Sequence, residues 1–320
     1  MHTRTLPILM VLACLSCARP VAAAAQQPPV PPTPSPATAP TAQSAGQPAA
    51  QSGAQPALPP GPPPLSTEAP PLPSIDPARP TLFLIGDSTV KVGTAGQMGW
   101  GEAIGAFFDL SRINLVNYAR GGRSSRTFLT EGLWIRALSA MRAGDYVLIQ
   151  FGHNDPGELF ETTRPRGSLP GIGDETREGV VALTHTFEVV HTYGWYLRQY
   201  LADVRARGAT PILCSLTPRK IWKEGHIVRD EHAVWAQEVA ATAHVPFLDL
   251  NALVARKYEA LGAEKVNDLF GDDHTHTNPA GAQINAVSVI EGLNGLDSPL
   301  TKYLSPHAPG ARPDSDSHHP

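Results

Sequence analysis

Five short apolar runs, each rich in strand-forming residues, recur through this chain at residues 81–85, 114–118, 146–151, 210–215 and 246–250. Helix-patterned segments separate or follow them, at residues 100–110, 130–141, 196–207, 231–243 and 280–293. Near-continuous apolar strands that alternate with amphipathic helices predict a parallel sheet covered on both faces. Gly144-Asp145 and Gly208 stand where helices should stop and strands begin. The expected fold is a single α/β domain of the flavodoxin-like kind, three layers built around a five-stranded parallel sheet.

The chain has 320 residues, enough for two domains, but its composition is uneven. Residues 1–25 read as a secretory signal peptide: His2 and Arg4 give a short basic start, Leu6 to Leu15 an apolar run, and Ala22 to Ala25 a small-residue cleavage region. The apolar run is too short to span a bilayer, so no membrane span is expected. The reading is secreted or periplasmic; a lipoprotein signal ending at Cys14 or Cys17 is the second reading. Residues 26–80, almost all Pro, Ala, Gln, Ser, Thr and Gly, cannot bury enough apolar surface to offset chain entropy and are expected to form a disordered, semi-stiff linker. Residues 305–320 read as a second polar, Pro-rich tail, with His318 and His319 at a frayed end rather than a metal site. That leaves residues 81–304 as the folded domain.

Once a signal is removed, Cys214 is the only cysteine, which rules out a disulfide framework or a multi-cysteine zinc site. The formal net charge of −4 offers no basic patch for nucleic acid.

Open parallel sheets place ligands beyond the carboxyl ends of their strands. The unusual polar residues of this chain stand there. The first strand ends in Gly86-Asp87-Ser88, the second leads to Arg120-Gly121-Gly122-Arg123-Ser124, and the third to Gly152-His153-Asn154-Asp155. A fourth cluster, Asp272 to Asn278, precedes the last helix. Acyl transfer requires a nucleophile, a base, a group orienting that base, and donors for an oxyanion. Ser88 suits the first role, although Gly-Asp-Ser is also ordinary turn chemistry. Asp273 and His276 are spaced so that both side chains can point one way. The competing reading makes Asp273 a helix cap and His276 a surface residue. Gly122 leaves its backbone N–H open to a substrate oxygen, Asn154 offers an amide, and the Ser88 N–H completes a possible set.

In this order, Gly-Asp-Ser, Gly, Gly-x-Asn-Asp and Asp-x-x-His resemble the block pattern of the SGNH, or GDSL-like, hydrolase superfamily across residues 81–291. Within it the chain is most similar to rhamnogalacturonan acetylesterases. That similarity is carried by Ile85 to Thr89, Gly99-Trp100-Gly101-Glu102, Gly122-Arg123-Ser124, Gly144-Asp145-Tyr146, Phe151 to Asp155, Asp273 to Thr277 and Pro279-Ala280-Gly281-Ala282. The resemblance implies a secreted serine esterase that removes acetyl groups from a plant cell-wall polysaccharide. Ser88 would be the nucleophile, His276 the base, Asp273 its orienting acid, and Ser88, Gly122 and Asn154 the oxyanion donors, with no metal or other cofactor. Thr89 stands where many lipase-like members carry Leu, which fits the polysaccharide branch. Residues 156–194 form a large insertion that reads as a mobile basic loop.

A rhamnogalacturonan backbone carries a carboxylate on every second sugar, so Arg123 and Arg164 are candidate substrate ligands. Trp100, Trp195 and Trp222 are candidate stacking surfaces, Trp195 being the better fit to a core position. Three other readings stay open. The ester could be an acetylxylan, a sialate or a lipid. A two-metal phosphoesterase could use His274 and His276 but lacks an Asp-x-His on the first strand. A noncatalytic wall-binding module would have no use for Ser88, Asp273 and His276 together.

Overall fold

A computed structural model describes residues 75–310 of the chain. The expected signal peptide, most of the linker and the end of the tail lie outside the described residues.

Five strands form one parallel sheet: β1 (Thr81–Gly86), β2 (Asn114–Asn117), β3 (Tyr146–Gln150), β6 (Thr210–Cys214) and β9 (Phe247–Leu248), in the order β2-β1-β3-β6-β9. All six residues of β1 and all five of β3 are buried. Successive side chains point to opposite faces, so each central strand feeds two cores. Leu82, Leu84, Leu148, Ile212 and Cys214 pack on one side with residues of α1 (Trp100–Ala103), α6 (Leu250–Leu261) and α8 (Pro279–Gly295). Phe83, Ile85, Val147, Ile149 and Leu213 pack on the other with α2 (Ser125–Thr130), α3 (Leu133–Ala140), α4 (Tyr193–Ala206) and α5 (Glu231–Ala243). Each such buried side chain stabilises the fold by roughly 1.5–3 kcal/mol. The three-layer α/β fold is the expected one.

The elements begin where side chains cap them. Thr192 accepts from the Trp195 N–H at the start of α4, Asp230 from His232 at α5, Asp249 from Ala252 at α6, and Asn278 from Ala280 and Gly281 at α8, with Pro279 at the first helical position.

Several boundaries differ from expectation. The fifth strand has only two residues, because Asp249 caps α6 immediately after it. Helix α6 is additional to the predicted ones, though Leu250, Val254 and Tyr258 bury at helical spacing. α7 (Ala263–Asn267) follows it. The folded region is wider than 81–304. Asp76 and Asn114 exchange hydrogen bonds, the Arg142 guanidinium donates to the Arg79 carbonyl, and Ile75 packs on the second core. At the other end the Ser305 N–H donates to the Phe107 carbonyl and Ala308 is buried. Polar composition hides these segments because backbone groups, not apolar side chains, tie most of them down.

The insertion is not a bare loop. It contains an antiparallel hairpin, β4 (Thr176–Val181) and β5 (Thr186–His191), and a shorter one, β7 (Trp222–Lys223) and β8 (His226–Ile227), follows β6. Arg126, just beyond the second strand's Gly-rich turn, is almost fully buried and holds the insertion. It makes a bidentate pair with Glu188 at 2.7 Å through Nε and Nη2, and donates to the carbonyls of Leu159 and Gly167.

Candidate active site

Ser88 leaves the end of β1 in a turn closed by the Asp87 carbonyl, which accepts from the Val90 and Lys91 N–H groups. Gly86 precedes it because a Cβ there would stand 2.6 Å from the Gln150 carbonyl oxygen on the neighbouring strand. Beneath the serine runs a buried chain of donors. The Trp100 indole N–H donates to Gln150 Oε1 at 2.7 Å, the Gln150 amide donates to Thr89 Oγ1 at 2.6 Å, and the Thr89 hydroxyl donates to Asp87 Oδ1 at 2.8 Å. Trp100 is therefore fully buried in the first core and cannot stack on a sugar; the expectation of a binding surface is corrected. Its place as the first residue of α1 turns the indole inward, where it anchors the turn that carries Ser88. Trp195 stacks on His191 at 3.7 Å between ring centroids, and Trp222 is half-buried against the first core.

Asp273 and His276 lie in the loop before α8. Asp273 Oδ1 accepts from the N–H groups of Thr275 and His276 at 2.6 and 2.7 Å, and Oδ2 accepts from His276 Nδ1 at 2.6 Å. Burial raises the Asp273 pKa, but the hydrogen bonds from the His276 ring, the His276 N–H and the Thr275 N–H outweigh it and bring it down to about 2. The carboxylate is thus ionised and can only accept, so the ring proton sits on Nδ1 and Nε2 is free to accept. The Ser88 hydroxyl lies 2.8 Å from that Nε2. Asp273 does not cap α8; Asn278 does. The loop is fastened to the serine side by the Met98 N–H, which donates to the Thr277 carbonyl, and by the Thr277 hydroxyl, which donates to the Met98 carbonyl.

Gly122 holds φ +78°, the left-handed region that favours glycine. Ser88 and Gly122 both line the cleft, and neither backbone N–H is given to an acceptor among the described residues. Asn154 donates one amide hydrogen to the Arg123 carbonyl at 2.9 Å, which fixes the amide and leaves its second N–H unassigned. His153 is tied down at both ring nitrogens: Nδ1 lies 3.2 Å from Asp87 Oδ2 and Nε2 3.0 Å from the Thr217 carbonyl oxygen, leaving neither nitrogen for a metal. Asp87 is completely buried. Desolvation raises its pKa, but the charge and hydrogen bond of His153 and the donors of Thr89 hold it below the usual carboxylate value. Asp155 accepts from the N–H and hydroxyl of Ser125 and from Ser168 Oγ, tying the start of α2 to the insertion.

These residues open on a cleft of about 880 Å³. Five arginines line it. Arg123 pairs with Glu131 at 2.8 Å, Arg126 with Glu188, and Arg219 with Asp230 at 2.6 Å. Arg164 and Arg166 have no carboxylate partner among the described residues; Arg166 donates to the Gly122 carbonyl at 3.3 Å. Both come close to Gly122: a Cβ built there would stand 3.7 Å from Arg166 Nη1 and 3.9 Å from Arg164 Nη2. Burial and the charge of Arg164 lower the Arg166 pKa, which Asp87 and Asp155 partly offset. Arg123, a predicted ligand, does line the cleft, but already in an ion pair. Sequence reading passes over Arg219, which follows β6 and could be found by the same strand-end rule. It also passes over the hairpin residues Val181, Leu183 and Thr186 on the cleft wall, for which the sequence carries no signal.

An α/β domain with a polar cleft at the strand ends and a Ser–His–Asp hydrogen-bonded chain defines a serine hydrolase of the flavodoxin-like type. The chain belongs to the GDSL-like lipase/acylhydrolase family, whose model matches residues 84–284, and it is a carboxylic ester hydrolase. It is 35% identical over 215 residues to a rhamnogalacturonan acetylesterase of Emericella nidulans, covering 67% of this chain and 84% of that one. It is 30% identical over 232 residues to a probable rhamnogalacturonan acetylesterase of Bacillus subtilis, covering 70% and 96%. Among solved structures it is similar to that of the Bacillus subtilis protein YxiM, with a TM-score of 0.55 and 23% identity over 68% of this chain and 57% of that one.

Proposed function

We propose that this esterase is exported and removes acetyl groups from an acidic plant cell-wall polysaccharide, rhamnogalacturonan, through a covalent acyl-enzyme. His276 Nε2 takes the proton of Ser88 as its oxygen attacks the ester carbonyl. Asp273 holds the imidazole in the required tautomer and stabilises the imidazolium that forms. The negative charge on the former carbonyl oxygen is met by the N–H groups of Ser88 and Gly122 and by Asn154. The imidazolium returns its proton to the departing sugar alcohol. A water, deprotonated by the same ring, then releases acetate and restores Ser88.

The observation that carries this reading is the continuous path from Asp273 through His276 to Ser88, with contacts of 2.6 and 2.8 Å. Ser88 and His276 are 188 positions apart in the chain, and a noncatalytic binding module has no need of such convergence. The acidic substrate is supported by Arg164 and Arg166, two guanidiniums with no paired carboxylate beside the reaction centre, and by the similarity to rhamnogalacturonan acetylesterases. Guanidinium matches a carboxylate in charge and in shape. Export is supported by the basic, apolar and small-residue pattern of residues 1–25.

The test is acetate release from a panel of acetylated pectins and xylans, with wild type and Ser88→Ala side by side. Release from acetylated rhamnogalacturonan that vanishes in Ser88→Ala is the expected result. Equal rates on neutral xylan would remove the acidic substrate, and an undiminished rate in Ser88→Ala would remove the mechanism.

A further inference from the structure

A second groove, of about 710 Å³, lies along the free edge of β2. It shares Val92, Gly121 and Arg123 with the wall of the active-site cleft, so the two hollows meet at the turn that carries Gly122. Its charge is one-sided. Lys91, Arg120, Arg123 and Arg136 line it, and no aspartate or glutamate does among the described residues, although Arg123 is already paired with Glu131 at 2.8 Å. This concentration of cations occurs on a chain whose formal net charge is −4. Between the cations the wall is apolar, formed in part by Leu115 and Leu133. Tyr118 also lines it, stacked on Phe83, and its hydroxyl is buried with no hydrogen-bond partner among the described residues.

Lysine and arginine flanking a sheet edge also discourage pairing with another chain. That role explains cations at the edge, but it does not require a hollow or its continuity with the reaction centre.

Resting on the reading of the main cleft as a site for acidic polysaccharide, we infer that this groove is a second subsite that takes the continuing anionic sugar chain next to the unit being deacetylated. The chemistry of its wall fits a polymer in which acidic and deoxy sugars alternate. Carboxylates face Lys91 and Arg120, and C–H and methyl faces lie on Leu115 and Leu133. A short ester occupies only the first cleft; a polymer occupies both. Attraction over this range is screened by salt, so the contribution of the groove shrinks at high ionic strength.

The experiment measures binding on the full chain carrying Ser88→Ala, so that turnover does not intervene. The probes are deacetylated rhamnogalacturonan polymer and its shortest acidic disaccharide, titrated by calorimetry. In that background Lys91→Glu with Arg120→Glu should weaken polymer binding on the order of tenfold. Lys91→Gln with Arg120→Gln should give a smaller loss, and the disaccharide should bind equally to the Ser88→Ala parent and to both substituted pairs. Both residues are exposed, and the neutral pair guards against a folding defect in the reversed pair. Unchanged polymer affinity in both pairs overturns the subsite, as does an equal loss on polymer and disaccharide. If the unmutated enzyme releases no acetate from acetylated rhamnogalacturonan while the polymer loss persists, the groove stands and the substrate reading falls. Acetate release with no polymer loss leaves the substrate reading in place and removes the groove.

Discussion

The two sides of the cleft are built on opposite principles. On the serine side almost every polar group is committed to a protein partner: Trp100, Gln150, Thr89, Asp87 and His153 form one buried network, and Asp273 accepts three hydrogen bonds from its own loop. On the insertion side Arg164 and Arg166 carry charge with no carboxylate to meet it among the described residues. A fully paired network fixes geometry before any substrate arrives, as stabilisation of a transition state requires. Cations without a paired carboxylate retain their capacity for a ligand. The same contrast separates Arg126, buried and bidentate, from Arg164 further along the chain.

The largest effect tests whether the committed side acts as one unit. Ser88→Ala and His276→Ala should each lower kcat by on the order of 10⁴ or more, and the double variant should be little worse than either. Additive losses, measured with an aryl acetate, would break the claim that the two side chains serve one step.

Next in size is the joint between the sides. Arg126→Ala leaves Glu188 without its partner and frees the carbonyls of Leu159 and Gly167, so it should cost about 3 kcal/mol of unfolding free energy. The insertion should also become a cleavage site for added protease. A variant with unaltered stability in urea would show that the insertion is held by its hairpin alone.

Asn154→Ala removes one expected oxyanion donor and a single hydrogen bond to Arg123. The expected loss is on the order of 10²–10³ in kcat, with a stability change of only about 1 kcal/mol. A stability loss as large as the catalytic one would make Asn154 a structural residue.

Much of this arrangement is legible in the chain. Strands buried on both faces leave an unbroken apolar signature, and β1 and β3 carry it, so the sheet and the strand ends can be read directly. Ser88, Gly122 and Asn154 follow from the rule that polar residues after such strands share a crevice, and the 273–276 loop from its polar cluster and Asp-x-x-His spacing before the last helix. The insertion is opaque because its hairpin mixes polar and apolar residues, with Val180 and Phe187 exposed and Glu188 turned toward Arg126, which obscures the alternation that marks a half-buried strand. Trp100 misleads for a different reason. Tryptophan near a site suits a sugar face and a buried donor equally well, and only the position of Gln150, fifty residues away, decides between them. Pairing of Arg123 with Glu131 and of Arg126 with Glu188 is likewise set by tertiary distance, which no local pattern reports.

Charge reversal sharpens the contrast on its other side. Arg164→Glu with Arg166→Glu should lower kcat/KM on acetylated rhamnogalacturonan by roughly tenfold and more than on an aryl acetate, since two exposed or half-buried ion pairs with substrate are lost. Equal losses on both substrates would mean that the arginines act on the reaction centre itself. The ester-linked polymer and the small ester must be compared at one salt concentration, because screening weakens only the former.

The smallest effect concerns how the committed side responds to acid. Asp273 titrates at about 2 in the folded chain, below its ordinary value of 3.8. Burial works against the ionised form, but hydrogen bonds from the His276 ring, the His276 N–H and the Thr275 N–H favour it more. The folded state therefore binds fewer protons than the unfolded state between those two values, and stability rises with pH across that window. The contribution is complete above about pH 4 and lost as pH falls through about 2. Its side chain is 42% exposed, so solvent screening limits the contribution to about 1 kcal/mol or less. Urea unfolding of wild type and Asp273→Asn should differ by that amount at about pH 5, and the difference should close on approach to about pH 2. A gap that stays constant over the interval would mean that the loop is held by its backbone contacts to Met98 and Gly271, and that the carboxylate serves the imidazole alone.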